Sequence, residues 1–483
     1  MDTRQLFAAG GLLLYFFIIL FVVLRSKESK NSEEFFLAGR KLPFWALSIT
    51  FIASWWGGGS AIDLIDHGHN QGIRSFWIYG MPVLFSTFLM FLFAKGIRKV
   101  GTITQPQLIA QRYNGRVAFM ASILILIFMT VGAAIQVIVI GKFFQTFFTI
   151  SYSNAAIIGT TIVLLYSFFG GFKGVVITDL VQFVFLFIAA VLMFVYAYIN
   201  SGGFANVAQI AANRQMNGFF TFTHNWSNNI VYIITFGSSW MIQANIWQRI
   251  SATRKPSDAK KMMALSFLVF IPLYLMVTLT GMLSIAIFPD VPTGGVAPAL
   301  IQQFMPTSVA ILLFVGICSA IMSTMDSLIN TGALVLTVDL YKKQINANAS
   351  PKQMVWVGKI STFIVSVVAL FVGLMIQSII KISWIGADFL ATGVFVPLIM
   401  GFLWKRGNSK GAFWSIIFGL VFSTYNLLVA FGINLPVGWE IASVNQALTG
   451  MIGSFIVYVC VSLITEPEYC KAETFIAKAG VIK

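Results

Sequence analysis

Charge is scarce in this chain. Lysine and arginine total 31 and the acids 16, which makes 10% of 483 residues, against about 25% in soluble domains. So little charge cannot cover a water-facing surface, and a soluble globular protein is excluded. Histidine and cysteine are scarcer, at three each. Cys318 and Cys460 fall inside apolar runs and Cys470 lies near the C-terminal end, so no disulfide framework or metal-ligand spacing is available. His67, His69 and His224 lie in or near expected outer loops, and no Walker, HExxH or GxSxG pattern occurs. Arginine-rich spans suited to voltage sensing are also missing. Nothing here makes an enzyme.

Long hydrophobic runs are what the chain does have. Apolar residues make up 58%, with 47 phenylalanines and 40 glycines, a composition suited to helices packed closely in lipid. Segments near the ~20 residues needed to cross a bilayer stand at about 5–25, 44–66, 75–95, 118–149, 154–172, 175–199, 228–249, 262–288, 306–340, 354–378, 383–404, 411–431 and 444–464. The spacing predicts an all-α integral membrane protein of 13 transmembrane helices. The first run lacks a small-x-small cleavage pattern and is followed by basic residues, so it is read as a retained span rather than a signal peptide.

An odd number of crossings puts the termini on opposite sides. With the N-terminus outside and the C-terminus cytoplasmic, the basic residues fall on the inner side except Arg4, Arg74, Lys142, Arg214 and Lys381. The inner set runs from Arg25, Lys27, Lys30, Arg40 and Lys41 to Lys471, Lys478 and Lys483, and the outer connections 289–305 and 432–443 carry none. This is the positive-inside pattern, and it explains the net charge of +15 without nucleic acid. The expected location is the plasma (inner) membrane. A single transport domain, 1–483, is expected: 1–43 an extra helix and loop, 44–199 and 228–404 two halves, 200–227 an external loop, and 405–483 two further helices with a short tail.

Residues 53–59, Ala-Ser-Trp-Trp-Gly-Gly-Gly, interrupt the second run. Glycine costs a helix interior about 1 kcal/mol per residue against alanine, and unwound backbone persists at membrane depth only where it is buried in protein or lines a watery cavity. Five-span blocks starting at the second and seventh runs would have opposite orientations, and the seventh run carries another weak stretch, Gly237-Ser238-Ser239-Trp240. Interrupted helices at matching positions of two halves point to a binding site.

Charges inside spans cost at least ~2.5–3.5 kcal/mol at the centre. Asp179, Asp326 and Asp388 lie within runs, while Asp63, Asp66 and Asp339 close them and read as caps or interfacial residues. Asp326 sits deep in the ninth run beside Ser323 and Thr324, whose hydroxyls, with carbonyls from an unwound neighbour, would form a neutral site suited to a monovalent cation rather than magnesium or calcium. Trp55, Trp56, Trp77, Trp240 and Trp247 cluster near the two interruptions. Trp55, beside the glycines, is placed to stack on a ligand or attract a cation.

Several motifs together resemble the sodium/solute symporter family over nearly the whole chain. They are Gly39-Arg40, Ala53-Ser54, Gly170-Gly171-Phe172 with Thr178-Asp179 and Gln182, Gln248-Arg249, and Met322-Ser323-Thr324 with Asp339-Leu340-Tyr341. The resemblance implies two inverted five-helix repeats (a LeuT-type core), the first helix of each broken. It implies a sodium site made by the carbonyls of Ala53, Trp56 and Ala320 and the hydroxyls of Ser323 and Thr324, with Asp179 on the ion's exit path or at a second cation site.

Within the family, Trp55-Trp56-Gly57-Gly58-Gly59 and Ser323-Thr324-Met325-Asp326-Ser327 are most similar to the high-affinity choline transporter branch. There a tryptophan at the Trp55 position and an aspartate at the Asp326 position contribute to the substrate site. The branch's second cage tryptophan falls at Gln243, and its other aromatics near Val131 and Leu84. Proline transporters of the family carry an aspartate where Trp55 stands. The expected activity is import of a small polar organic solute, coupled to sodium. The expected solute contacts are Trp55, Gly57, Gly58, Gly59, Gln243 and Asp326. Rival readings are proton coupling through Asp179 or Asp326, and a transporter-like solute sensor, against which the short tail after Thr465 argues.

Overall fold

Residues 3–24, 32–430, 432–433 and 443–481 are described by the computed structural model, and every element among them is helical. Arg25, Lys27, Lys30 and Lys483 of the inner basic set, and most of the connection 432–443, lie outside the described residues. Eleven helices among them are long and apolar enough to cross a membrane. The outermost present large apolar side chains outward, such as Phe17 (61% exposed), Phe371 (61%) and Val421 (64%). In water such a surface would drive aggregation; in hydrocarbon it costs nothing.

The runs expected at 44–66 and 228–249 are not continuous helices. The first divides into Phe44–Trp55 and a part resuming near Gly58, which contains a widened turn at Gly59–Asp63 and then Leu64–Gln71. The unwound residues are Trp56, with ψ 62°, and Gly57. Glycine is required here by crowding rather than by dihedral angle. A Cβ at Gly57 would lie 2.8 Å from Gln136 Oε1 and 2.9 Å from Thr324 Oγ1, and one at Gly58 would lie 2.3 Å from Val139.

The second interruption falls later than the sequence suggests. Gly237, Ser238, Ser239 and Trp240 are helical, with a widened turn at Ile233–Gly237 followed by Ser238–Met241. The chain unwinds instead at Ile242 and Gln243, the latter extended at ψ 121°, before Ala244–Ala252. The reason is where the freed backbone groups find partners: Gln105 Nε2 donates to the Ile242 carbonyl at 3.0 Å, and Trp247 Nε1 to the Met241 carbonyl at 2.8 Å. Gly237 serves close packing, since a Cβ there would lie 2.7 Å from Phe85.

The runs expected at 154–172 and 175–199 form one long helical stretch, Tyr152–Ser201, sharply kinked at Gly171 (φ 52°, ψ −165°). That left-handed backbone suits glycine, and a Cβ there would meet Phe35 at 2.8 Å. The C-terminal segment also folds, as Tyr469–Ala479, and docks Phe475 against Phe402 with ring centroids 5.2 Å apart.

Helix Leu64–Gln71 crosses helix Pro256–Ser284 at paired glycines. A Cβ at Gly281 would lie 2.2 Å from the Ile65 carbonyl oxygen, and one at Gly68 would lie 2.7 Å from that of Thr278. Both obstacles are backbone, so no side chain can swing aside; close approach through small residues is how helices associate in lipid. Gly281→Ala is expected to destabilise the protein by about 1–3 kcal/mol, the usual cost of overpacking. Thermal unfolding in detergent measures it, and an unchanged midpoint would refute the crossing.

Candidate functional site

The first interruption lies against helix Thr307–Leu334, whose inner face is buried throughout from Leu313 to Leu334. Phe51 packs that segment against Phe270 (5.3 Å between rings), and the break two turns later releases backbone groups toward the ninth run's hydroxyls. Ser323 Oγ donates to the carbonyls of Ala53 at 2.8 Å and Ala320 at 3.1 Å. Thr324 Oγ1 lies 3.2 Å from the Ala320 oxygen and 3.5 Å from that of Ala53. Four uncharged oxygens from two helices therefore converge at one point. Trp56 ends its helix one turn past Ala53, with its ring buried edge-on to Tyr274 at 5.1 Å.

Beside these oxygens opens a cavity, with about 780 Å³ of atom-free space including the part open to solvent. Thr324 lines both the oxygen cluster and the cavity. Trp55, Gly57, Gly59 and Gln243 also line it, so the two interruptions meet there. Trp55 Nε1 donates to Gln243 Oε1 at 2.7 Å, joining one break directly to the other. Gly58 contributes no lining; its N–H is held by Gln136 Oε1 at 2.9 Å.

Asp326, expected at the solute, lies elsewhere. It is fully buried away from the cavity lining, accepting from Tyr166 at 2.9 Å and from Ser327 at 3.3 Å. It belongs to a second cluster, centred on Arg249. That guanidinium, also fully buried, bonds Ser327 Oγ at 2.7 Å, Thr50 Oγ1 at 3.0 Å, the Asn245 carbonyl at 3.0 Å and Asp179 Oδ2 at 3.2 Å. Thr50 also donates to Asp179. Asp179 is thus held in a knot that ties both interrupted segments, the kinked stretch Tyr152–Ser201 and helix Thr307–Leu334.

The remaining acids have structural partners. Asp63 accepts from Tyr79 at 2.8 Å, Asp66 holds the Val296 N–H at the start of helix Val296–Phe304, Asp339 accepts from Thr104, and Asp388 from Asn426.

A reading centred on ionisable groups passes over the cavity's carboxamides, Gln136 and Asn245, and over Tyr79, whose ring stacks on Trp240 with centroids 6.1 Å apart. The available signal was an amide, Gln136, in the middle of the largely apolar run 118–149.

A sequence profile of the sodium:solute symporter family matches residues 35–419. The human sodium/myo-inositol cotransporter 2 is 28% identical over 447 residues, covering 82% of this chain and 66% of its own length. The sodium/proline symporter of Haemophilus influenzae is 24% identical, with 92% of each chain covered. Among solved structures, the substrate-bound outward-open state of a Na+-coupled sialic acid symporter superposes with a TM-score of 0.82 at 18% identity, over 95% of this chain and 98% of that one, which establishes a shared fold. With the profile matching most of its length, this chain belongs to the sodium:solute symporter family.

Proposed function

We propose that the protein is a sodium-coupled secondary transporter that imports a small polar organic solute by alternating access. The observation carrying this reading is the meeting of two hydroxyls and two carbonyls, all neutral, at the edge of a cavity lined by both interrupted segments. Neutral oxygen donors suit a monovalent cation, whereas calcium calls for carboxylates. Sodium is shared by the names of relatives whose solutes differ, myo-inositol in one and proline in the other, which favours it as the coupling ion over a proton.

In this reading sodium is held by the carbonyls of Ala53, Trp56 and Ala320 and the hydroxyls of Ser323 and Thr324. The solute docks against Trp55, Gly57, Gly59 and Gln243. Because Thr324 belongs to both places, the ion and the solute share a wall. Sodium then tightens solute binding, and the solute tightens sodium binding by the same factor. The branch resemblance to choline transporters rests on Trp55 and Asp326 as one site, and these residues stand apart. In this reading both interrupted segments are crossings and head two inverted five-helix repeats in a molecule of thirteen transmembrane helices, which the break in each segment supports. The N-terminus is outside, the C-terminus cytoplasmic, and the membrane the plasma (inner) membrane.

Asp179 is assigned to the inner route by which the ion leaves, and Arg249 to its closure. Thr50, which joins them, stands near the basic, cytoplasmic end of the first broken segment.

Sodium chloride is expected to raise the unfolding temperature of the purified protein relative to potassium chloride at equal ionic strength. Replacing both Ser323 and Thr324 by alanine should weaken that response at least tenfold in sodium concentration. A double variant with an undiminished response refutes the site, and uptake that follows a pH gradient without sodium favours proton coupling.

Arg249→Leu should destabilise the protein by about 3–5 kcal/mol, because it leaves Asp179 buried and unpaired. Combining it with Asp179→Asn should recover part of that loss in the same melting assay. Strict additivity of the two effects would show that the pair does not act as a unit.

A further inference from the structure

We infer that the transported solute is uncharged and presents a hydrogen-bond donor and acceptor side by side next to an apolar face; the inference rests on the symport reading above and specifies its substrate class. Three observations carry it.

The first is the charge of the cavity wall. No lysine, arginine, histidine, aspartate or glutamate is among the described residues that line it. An ionised solute would leave water without a counter-charge, and burying an unpaired charge is costly. A cation meets a further obstacle, since the coupling ion would sit across the Thr324 wall. An anion has no counter-charge other than the coupling ion, and behind Tyr79 stands Asp63, accepting that residue's hydroxyl at 2.8 Å and lying 3.4 Å from His67.

The second is Asn245. It lines the cavity and is fully buried, yet neither its Nδ2 nor its Oδ1 has a hydrogen-bond partner. A buried carboxamide left unpaired is costly. It stands two residues from Gln243, whose Oε1 is already taken by Trp55 and whose Nε2 is left to donate. Asn245 thus offers one donor and one acceptor, separated by a single carbon, to whatever enters. A hydroxyl pair or an amide edge matches that pattern, whereas a carboxylate has no donor and a quaternary ammonium has neither.

The third is the aromatic part of the lining. Trp240 stacks on Tyr79 (6.1 Å, 18°) and on Phe236 (5.3 Å, 16°), and Trp55 lies 6.0 Å from Trp240. These faces suit the carbon side of a ring or a compact chain. Their affinity for cations is left unsupported by any acid in the lining.

The test is a thermal-shift panel on the purified full-length protein in sodium and, separately, in potassium. The uncharged probes are myo-inositol, glucose and uracil; the charged probes are choline, proline and succinate. Stabilisation by at least one uncharged probe and by none of the charged ones is the expected result. A shift with any charged probe, or with none of the uncharged ones, overturns the inference. Asn245→Ala should weaken the response to the active probe at least tenfold, and the wild-type panel decides the matter if that variant does not fold. The symport reading fails separately: an uncharged probe that binds equally well in potassium keeps the substrate class and removes sodium coupling.

Discussion

Hydrocarbon offers no partner to a bare peptide group, and that constraint organises this molecule. Every N–H or C=O released by an uncoiled turn has to be met by another part of the protein or by a ligand. At the first break the carbonyl of Ala53 is met by Ser323, and the amide of Gly58 by Gln136. At the second, Ile242 is met by Gln105 and Met241 by Trp247. Each break is therefore stitched to a different helix, and the stitching fixes where the helices stand. Uncoiling is not local looseness: it is a set of cross-helix hydrogen bonds exchanged for within-helix ones.

That exchange also bears on how the proposed ion site could exist in two conditions without collapsing. A carbonyl oxygen has two lone pairs, and a hydroxyl can donate or turn to accept. When Ser323 donates to Ala53, the two helices are joined by a neutral hydrogen bond. Were a cation to lie among the same oxygens, the hydroxyls would turn their lone pairs inward and the ion would do the joining, one set of contacts exchanged for another. A ligand moves such an equilibrium only by its unequal affinity for the two states, so a lightly balanced joint is the one that modest binding can drive.

How much of this was legible in the sequence follows from the same physics. Membrane helices announce themselves because twenty apolar residues have few other uses, and the interruption at Trp56–Gly57 was visible because three adjacent glycines have no place inside a helix. Ser323 and Thr324 were legible as hydroxyls at helical spacing from the Ala320 carbonyl. The second break was misplaced to Gly237–Trp240, since composition marks weak helix but not where partners wait. Gln105 and Trp247 decide the matter, and the former is distant in the chain. Asp326 was legible as costly and buried but not as belonging to Tyr166 and Ser327. Position along one helix does not tell which neighbour its side chain faces.

The Arg249 cluster poses the reverse problem, a strong interaction with little net stability to show for it. Burying an ion pair costs desolvation that its attraction seldom repays, and apolar replacements are often as stable. Arg249 offsets part of that cost by spreading its donors over Thr50, Asp179, Ser327 and the Asn245 carbonyl. Such an arrangement makes poor glue but a good latch. Thr50, Asp179 and Ser327 come from three other helices, so withdrawing the segment that carries Arg249 breaks several bonds at once and exposes charges that must then be hydrated. In the proposed cycle, water would reach them only on inward opening. Asn245 lends its carbonyl to this latch and its carboxamide to the cavity. A solute that draws on the carboxamide therefore acts on the very residue whose backbone holds Arg249, which gives the inner closure a direct way to sense that the cavity is filled.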